Sequence, residues 1–242
     1  MIKTSLKEVE NYLIELGLKK NDKILIHADL RVFGRLEGNG NGFLELIKSL
    51  ISNDGLMCTP SFTFSFPQDF DIKNSKSNIG AITNLFSDYK DVKRVPDGMT
   101  SYYMIGNNSS KIIDEWSNSS YGKNSIIDQL FEKNAKVLQL GTDILSPIHY
   151  LEEKVGVPYR TLKRFAGLII DENISYHSHT NFYARNMDIK KLIPDPIRAD
   201  FYSKLLNSIQ INGRQLRLFE LRKFIEFGLP RLEDNNLILI ED

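Results

Sequence analysis

The chain has 242 residues, enough for one full α/β domain and short for two. Lys plus Arg and Asp plus Glu both number 31, so the formal net charge is zero, which argues against nucleic acid or an anionic membrane as a partner held by bulk charge. A single cysteine, Cys58, excludes an internal disulfide and a cysteine-rich zinc module, and no apolar run approaches the ~20 residues that span a bilayer. With no apolar leader at Met1, a soluble, cytoplasmic protein is expected.

Leu6, Val9, Leu13 and Leu16 recur near helical spacing, which predicts an amphipathic helix over residues 4–17 closed by Gly17. Lys23 to Asp29 reads as a buried strand, 40–52 as a helix and Gly55 to Phe62 as a second strand. That strand–helix–strand order favours a parallel pair. Residues 65–78 lack periodicity and read as a mobile loop of the kind that forms lids. Helices follow at 80–88, 108–116 and 126–134, the last with Ser125 and Asp128 spaced as in a capping box. Strands are expected at 102–106 and 136–141. Ser146-Pro147 then opens a helix that runs to Val155 and stops at Gly156. Asn212-Gly213 marks a hairpin over 209–218, flanked by helices at 197–208 and 219–227, and a short strand ends the chain at 237–240. The expected fold is a single α/β domain: a mixed, largely parallel sheet flanked by helices, with a C-terminal hairpin and helical elaboration.

His149 and Glu152 form the leading constellation. They stand at i and i+3 just after a strand end, where open α/β sheets place their ligands. With Ser146 as N-cap, the helix terminus disfavours imidazolium and leaves a base-competent ring. Spacing alone also fits an ordinary first-turn histidine beside a surface glutamate. His27 lies on the first strand, and Asp29 and Arg31 lie where it turns into a loop; a guanidinium there suits phosphate, or is simply solvated. No P-loop or dinucleotide fingerprint is present. Asp97 sits in a Pro-Asp-Gly turn. His177 and His179 alternate, so on a strand they share one face. No third metal ligand stands at short spacing, and no metal is expected.

Taken in order across residues 12–165, these segments resemble the aminoglycoside 3-N-acetyltransferase family. Leu16-Gly17 through Asp22, followed by Ile24 to Gly34, is similar to that family's opening "LGV..GD..LVHSSL...G". Gly55 to Phe64 resembles "GT...PTFT", Tyr121 to Ser125 resembles "FG..SP", and Gly141 through His149, Glu152 and Arg160 resembles "LG......HYAE....PY". Two departures stand out. The family's "R-S-x-H-P-x-H-S" appears as Arg94 to Ser101, with Asp97 and Thr100 in place of both histidines, and Asp29 replaces a serine. Asp97 at that position looks more like members that act on surface-polysaccharide sugars.

The resemblance implies transfer of acetyl from acetyl-CoA to the amine of an amino sugar, nucleotide-linked in the first reading and an aminoglycoside in the second. It implies His149 as general base, Glu152 as its partner and Asp97 as a further catalytic residue. His27, Asp29, Arg31, Ser61, Thr63 and Ser101 would form the CoA-binding edge, the hydroxyls supplying oxyanion donors. Residues 1–165 would hold CoA and the catalytic groups, and residues 166–242 would shape the acceptor site. A metal-dependent hydrolase using His149, Glu152, His177 and His179 and a non-catalytic CoA- or sugar-binding protein are the competing classes, and a homo-oligomer is left open.

Overall fold

The computed structural model describes residues 3–241 apart from Asn78, Pro194 and Asn207. Its frame is a seven-stranded sheet in the order β11-β12-β8-β2-β4-β7-β6. These strands are β2 (Lys23–Ala28), β4 (Leu56–Pro60), β6 (Lys93–Arg94), β7 (Tyr102–Ile105), β8 (Lys136–Leu140), β11 (Ile209–Ile211) and β12 (Arg214–Glu220). The mixed α/β architecture agrees with expectation, but the parallel part is narrower: β8, β2 and β4 pair in parallel and the flanking pairs run antiparallel.

Both faces of the central strands are covered, which is why they read as nearly unbroken apolar runs. Side chains alternate between two cores. Leu25, Cys58, Met104 and Val137 point to one, closed by α5 (Ile126–Glu132), α6 (Ile148–Val155), α7 (Pro196–Leu205) and α8 (Leu221–Asp234). Ile24, Met57, Tyr103 and Leu138 point to the other, closed by α1 (Leu6–Glu15), α2 (Asn39–Ile51) and α3 (Ala81–Ser87). Ser5 caps α1 in a full capping box with Glu8, whereas Ser125 caps α5 and Asp128 reaches back to the Asn124 N–H instead. Two short strands, β1 (Lys3–Thr4) and β3 (Arg35–Leu36), pair beside α1, and α4 (Ser109–Asp114) follows β7.

Three expectations need correction, and one stretch that was given no element proves to be regular. Residues 65–77 are tethered, Asn78 of that expected loop lying outside the described residues: Phe66 and Phe70 are buried, β5 (Phe70–Asp71) pairs with a later strand, and Arg94 lies between the Phe70 and Tyr103 rings while donating to the Ile72 and Ser75 carbonyls. Residues 160–185, which showed no clear pattern, form a long antiparallel ribbon of β9 (Arg160–Asp171) and β10 (Ile174–Arg185). Thr161–Arg164 and Ile174–His177 are exposed runs, so there is little alternation to read. Helix α8 runs on through Pro230 to Asp234, and at Gly228 it lies close against Leu151. The expected terminal strand is only a bridge between Ile240 and Lys191.

Candidate active site

Strands β2 and β4 and the start of α6 border a cavity of about 540 Å³, placed where parallel strands end. Gly141 turns the chain out of β8 at φ +66°, and a Cβ there would lie 2.7 Å from Val32, so the segment leading to α6 needs glycine at that point. The walls are mostly apolar, from Ile26, Ala28, Pro60, Phe62, Ile82, Leu145 and Ile148. The polar groups are His27, Thr59, Ser146, His149, Lys191 and, nearer the rim, Asp143, Asp195 and Arg198.

Pro147, and not Ser146, occupies the N-cap of α6, but His149 still falls in the first turn. Ser146 instead meets His27, its Oγ 3.3 Å from Nε2. His149 Nδ1 lies 2.5 Å from Glu152 Oε2. The same oxygen accepts from Arg160 Nη2 at 2.8 Å, and Oε1 accepts from Lys191 Nζ and the Tyr159 hydroxyl, both at 3.1 Å. Glu152 is fully buried, so its charge needs these partners.

The donor set fixes the tautomer. A carboxylate only accepts and a guanidinium only donates, so Nδ1 carries a proton toward Glu152, and Nε2 keeps the lone pair. Arg160 Nη2 comes within 3.0 Å of Nδ1, but its bond is to the carboxylate. The His149 pKa is lowered to about 4: burial is the largest cause, Glu152 opposes it, and Lys191 and Arg160 add to it. Burial alone would raise the Glu152 carboxyl; His149, Lys191 and Arg160 outweigh it and hold the group below the usual carboxylate range. The result is a neutral imidazole beside a fixed carboxylate at neutral pH.

The Tyr121 ring packs 5.1 Å from the imidazole and 5.9 Å from Phe182 on β10, joining α6 to the ribbon. Beside it the Glu153 and Ser119 side chains lie close against the Gly122 backbone, 2.5 and 2.9 Å from where a Cβ would stand.

The structure therefore brings together His149 and Glu152, with His27 on the same cavity. The other expected residues are placed differently. Asp97 is buried, accepts from the Met99 N–H and the Thr100 and Thr180 hydroxyls, and does not line the cavity or bond His149. Burial pushes its pKa up against those donors. It fastens β10 to the turn before β7. Ser61 and Ser101 are buried and spent on each other and on Arg94, and the Thr63 hydroxyl turns to the Gly98 carbonyl. Asp29 binds Arg31 and Arg214 just past the end of β2, and the Arg31 side chain is 83% exposed. Hydrogen bonding to Arg31, then Arg214, keeps the Asp29 carboxyl well below its ordinary range. His177 is exposed on β10 with His179 on the same ribbon face, and among the described residues no three His, Cys, Asp or Glu side chains converge as a metal site.

Sequence reasoning missed Tyr159, Arg160 and Lys191. The first two lie inside the Val157–Arg160 match, where the motif itself was the available signal. Lys191 stands in an irregular stretch and carries no signal.

The family model described as aminoglycoside 3-N-acetyltransferase matches residues 25–233, and the chain belongs to that family. It is accordingly an acetyl-CoA-dependent N-acetyltransferase. The SPbeta prophage-derived aminoglycoside N(3')-acetyltransferase-like protein YokD of Bacillus subtilis is 22% identical over 239 residues, covering 88% of this chain and 86% of its own. The fold is also that of sisomicin-bound AAC-VIa, with TM-score 0.83 and 19% identity over 96% of this chain and 98% of that one. AAC-IIIb, in a binary complex with CoASH, aligns with TM-score 0.79 and 18% identity over 96% and 97% of the two chains. Among the described residues no helix is long and apolar enough to cross a membrane.

Proposed function

We propose that this protein transfers acetyl directly from acetyl-CoA to the amine of an amino sugar, with His149 as general base. The observation that carries the reading is the 2.5 Å contact between His149 Nδ1 and the buried Glu152 carboxylate at the wall of the cavity. The amine nitrogen attacks the thioester carbonyl and gives a proton to His149 Nε2. The tetrahedral intermediate collapses, the C–S bond breaks, and the imidazolium returns the proton to the departing thiolate. Glu152 stabilises the imidazolium while it exists. Ser146, whose hydroxyl lines the cavity beside His27, is the oxyanion donor this reading prefers over Ser61 and Ser101. The apolar walls suit the pantetheine arm, and Arg31, on the exposed turn after β2, suits the donor's phosphates. Residues 1–165 supply most of this machinery, but Lys191 places part of the downstream segment in it as well.

For the acceptor, the family supports an aminoglycoside. A nucleotide-linked amino sugar is the second reading, resting on the resemblance of Asp97 to members that act on surface-polysaccharide sugars. Thiol release from acetyl-CoA against both acceptor panels tests the assignment. His149→Ala is expected to lower turnover by ~10²–10⁴ with acetyl-CoA affinity unchanged. Turnover near wild type in folded His149→Ala removes the base assignment, and no thiol release with any amine removes the amino-sugar reading.

A further inference from the structure

Lys191 lies far from α6 in sequence, yet its ammonium is 3.1 Å from Glu152 Oε1, and its side chain is only 24% exposed at the cavity wall. A free lysine side chain keeps many rotamers, and holding it in one costs entropy. Here the backbone is already fixed. Residues 190–192 pair with residues 239–241: the Leu192 N–H donates to the Leu239 carbonyl and the Glu241 N–H to the Lys190 carbonyl, both at 3.0 Å. Leu239 is buried in the core beneath, so the pairing is anchored.

We propose that Lys191 is a positioning residue for the acetyl transfer, clamped against Glu152 by the pairing of residues 190–192 with 239–241, so that one carboxylate oxygen stays on Lys191 and the other on His149. The proposal rests on His149 as base. Glu152 has only two oxygens for four donors. With Lys191 and Tyr159 on Oε1, the carboxylate cannot turn, and Oε2 remains with His149 and Arg160. Lys191 also offsets the carboxylate's pull on the imidazole. The groups facing that ring are Glu152 from α6, Arg160 from β9, Tyr121 from the loop before α5, and Lys191; His27 shares the cavity. Loss of the lysine therefore leaves a ring that protonates more readily and a carboxylate free to leave it.

The test is the pH profile of kcat/KM by thiol release. In Lys191→Met the low-pH limb is expected to move up by about 1 pH unit, with kcat reduced about tenfold and the limb restored in Lys191→Arg. Glu241→Pro removes one clamp bond without touching the cluster, and it should move the limb the same way by less. An unmoved limb in folded Lys191→Met, or a change confined to KM for acetyl-CoA, overturns the proposal. If Lys191→Met does not fold, an unmoved limb in Glu241→Pro overturns it instead. His149→Ala separates the two readings: a limb that survives there removes the base assignment, whereas a limb lost there but unmoved in Lys191→Met removes only the role of Lys191.

Discussion

Glu152→Gln tests the site's electrostatics because it preserves shape and removes one charge. Four donors converge on the two carboxylate oxygens: His149 and Arg160 on Oε2, Lys191 and Tyr159 on Oε1. A glutamine offers one oxygen and one NH₂, so whichever way it turns, two donors face another donor. Arg160 and Lys191, both largely buried, would also lose their counter-charge. Removing one partner of a buried ion pair costs about 3–5 kcal/mol. At roughly 2 °C per kcal/mol for a chain of this length, Tm should fall by about 6–10 °C. The sign with pH follows from the direction of the shift. The folded carboxyl is held below its ordinary 4.5, so its contribution is complete above that value and fades as pH falls further. Scanning calorimetry at pH 7 and again near pH 4 should show the gap between wild type and Glu152→Gln beginning to narrow at the lower pH. Turnover should also fall, by less than in His149→Ala, because a glutamine oxygen can still receive Nδ1–H. A Tm within about 2 °C of wild type at pH 7, in a protein with native circular dichroism, would refute the claim that this carboxylate is the charge centre of the site.

Two further outcomes follow from the same geometry. Burial lowers both His27 and His149 from 6.5 to about 4, so the unfolded chain takes up protons that the folded one refuses. Stability should drop as pH falls from about 6.5 toward 4, by roughly 2 kcal/mol per histidine at pH 5, and His27→Gln should flatten the Tm profile over pH 5–7; an unchanged slope would show that His27 titrates normally. Arg31→Ala should weaken acetyl-CoA binding in a calorimetric titration more than acetyl-pantetheine binding, because only the former carries the nucleotide phosphates; equal losses would reassign Arg31 to holding Asp29.

The frame was legible wherever burial imposes a pattern. Lys23–Ala28, Leu56–Pro60 and Lys136–Leu140 are buried on both faces, so their apolar runs declare them. The ribbon from Arg160 to Arg185 was not legible, because Thr161–Arg164 and Ile174–His177 are exposed runs with no alternation and its turn, Glu172-Asn173, lacks the Asn-Gly signal seen at Asn212-Gly213. The tether at Phe70 was hidden for a different reason: its partner Ile169 lies about a hundred residues away, beyond the reach of any local period.

The site divides along the same line. His149 and Glu152 are neighbours on one helix, and their spacing could be read directly. Ser61, Thr63, Ser101 and Asp97 have the right chemistry, but residue type does not say which way a side chain points, and three-dimensional placement spends their polar atoms on internal bonds. The reverse holds for Arg160 and Lys191. A buried carboxylate beside a neutral imidazole needs cations to offset its desolvation, so the fully buried Glu152 demands partners that no spacing rule can name. Such partners come from whichever elements the fold carries past α6. Here these are the base of the ribbon and the segment held by Leu239 and Glu241, which makes the downstream part of the chain a structural component of the His149–Glu152 pair.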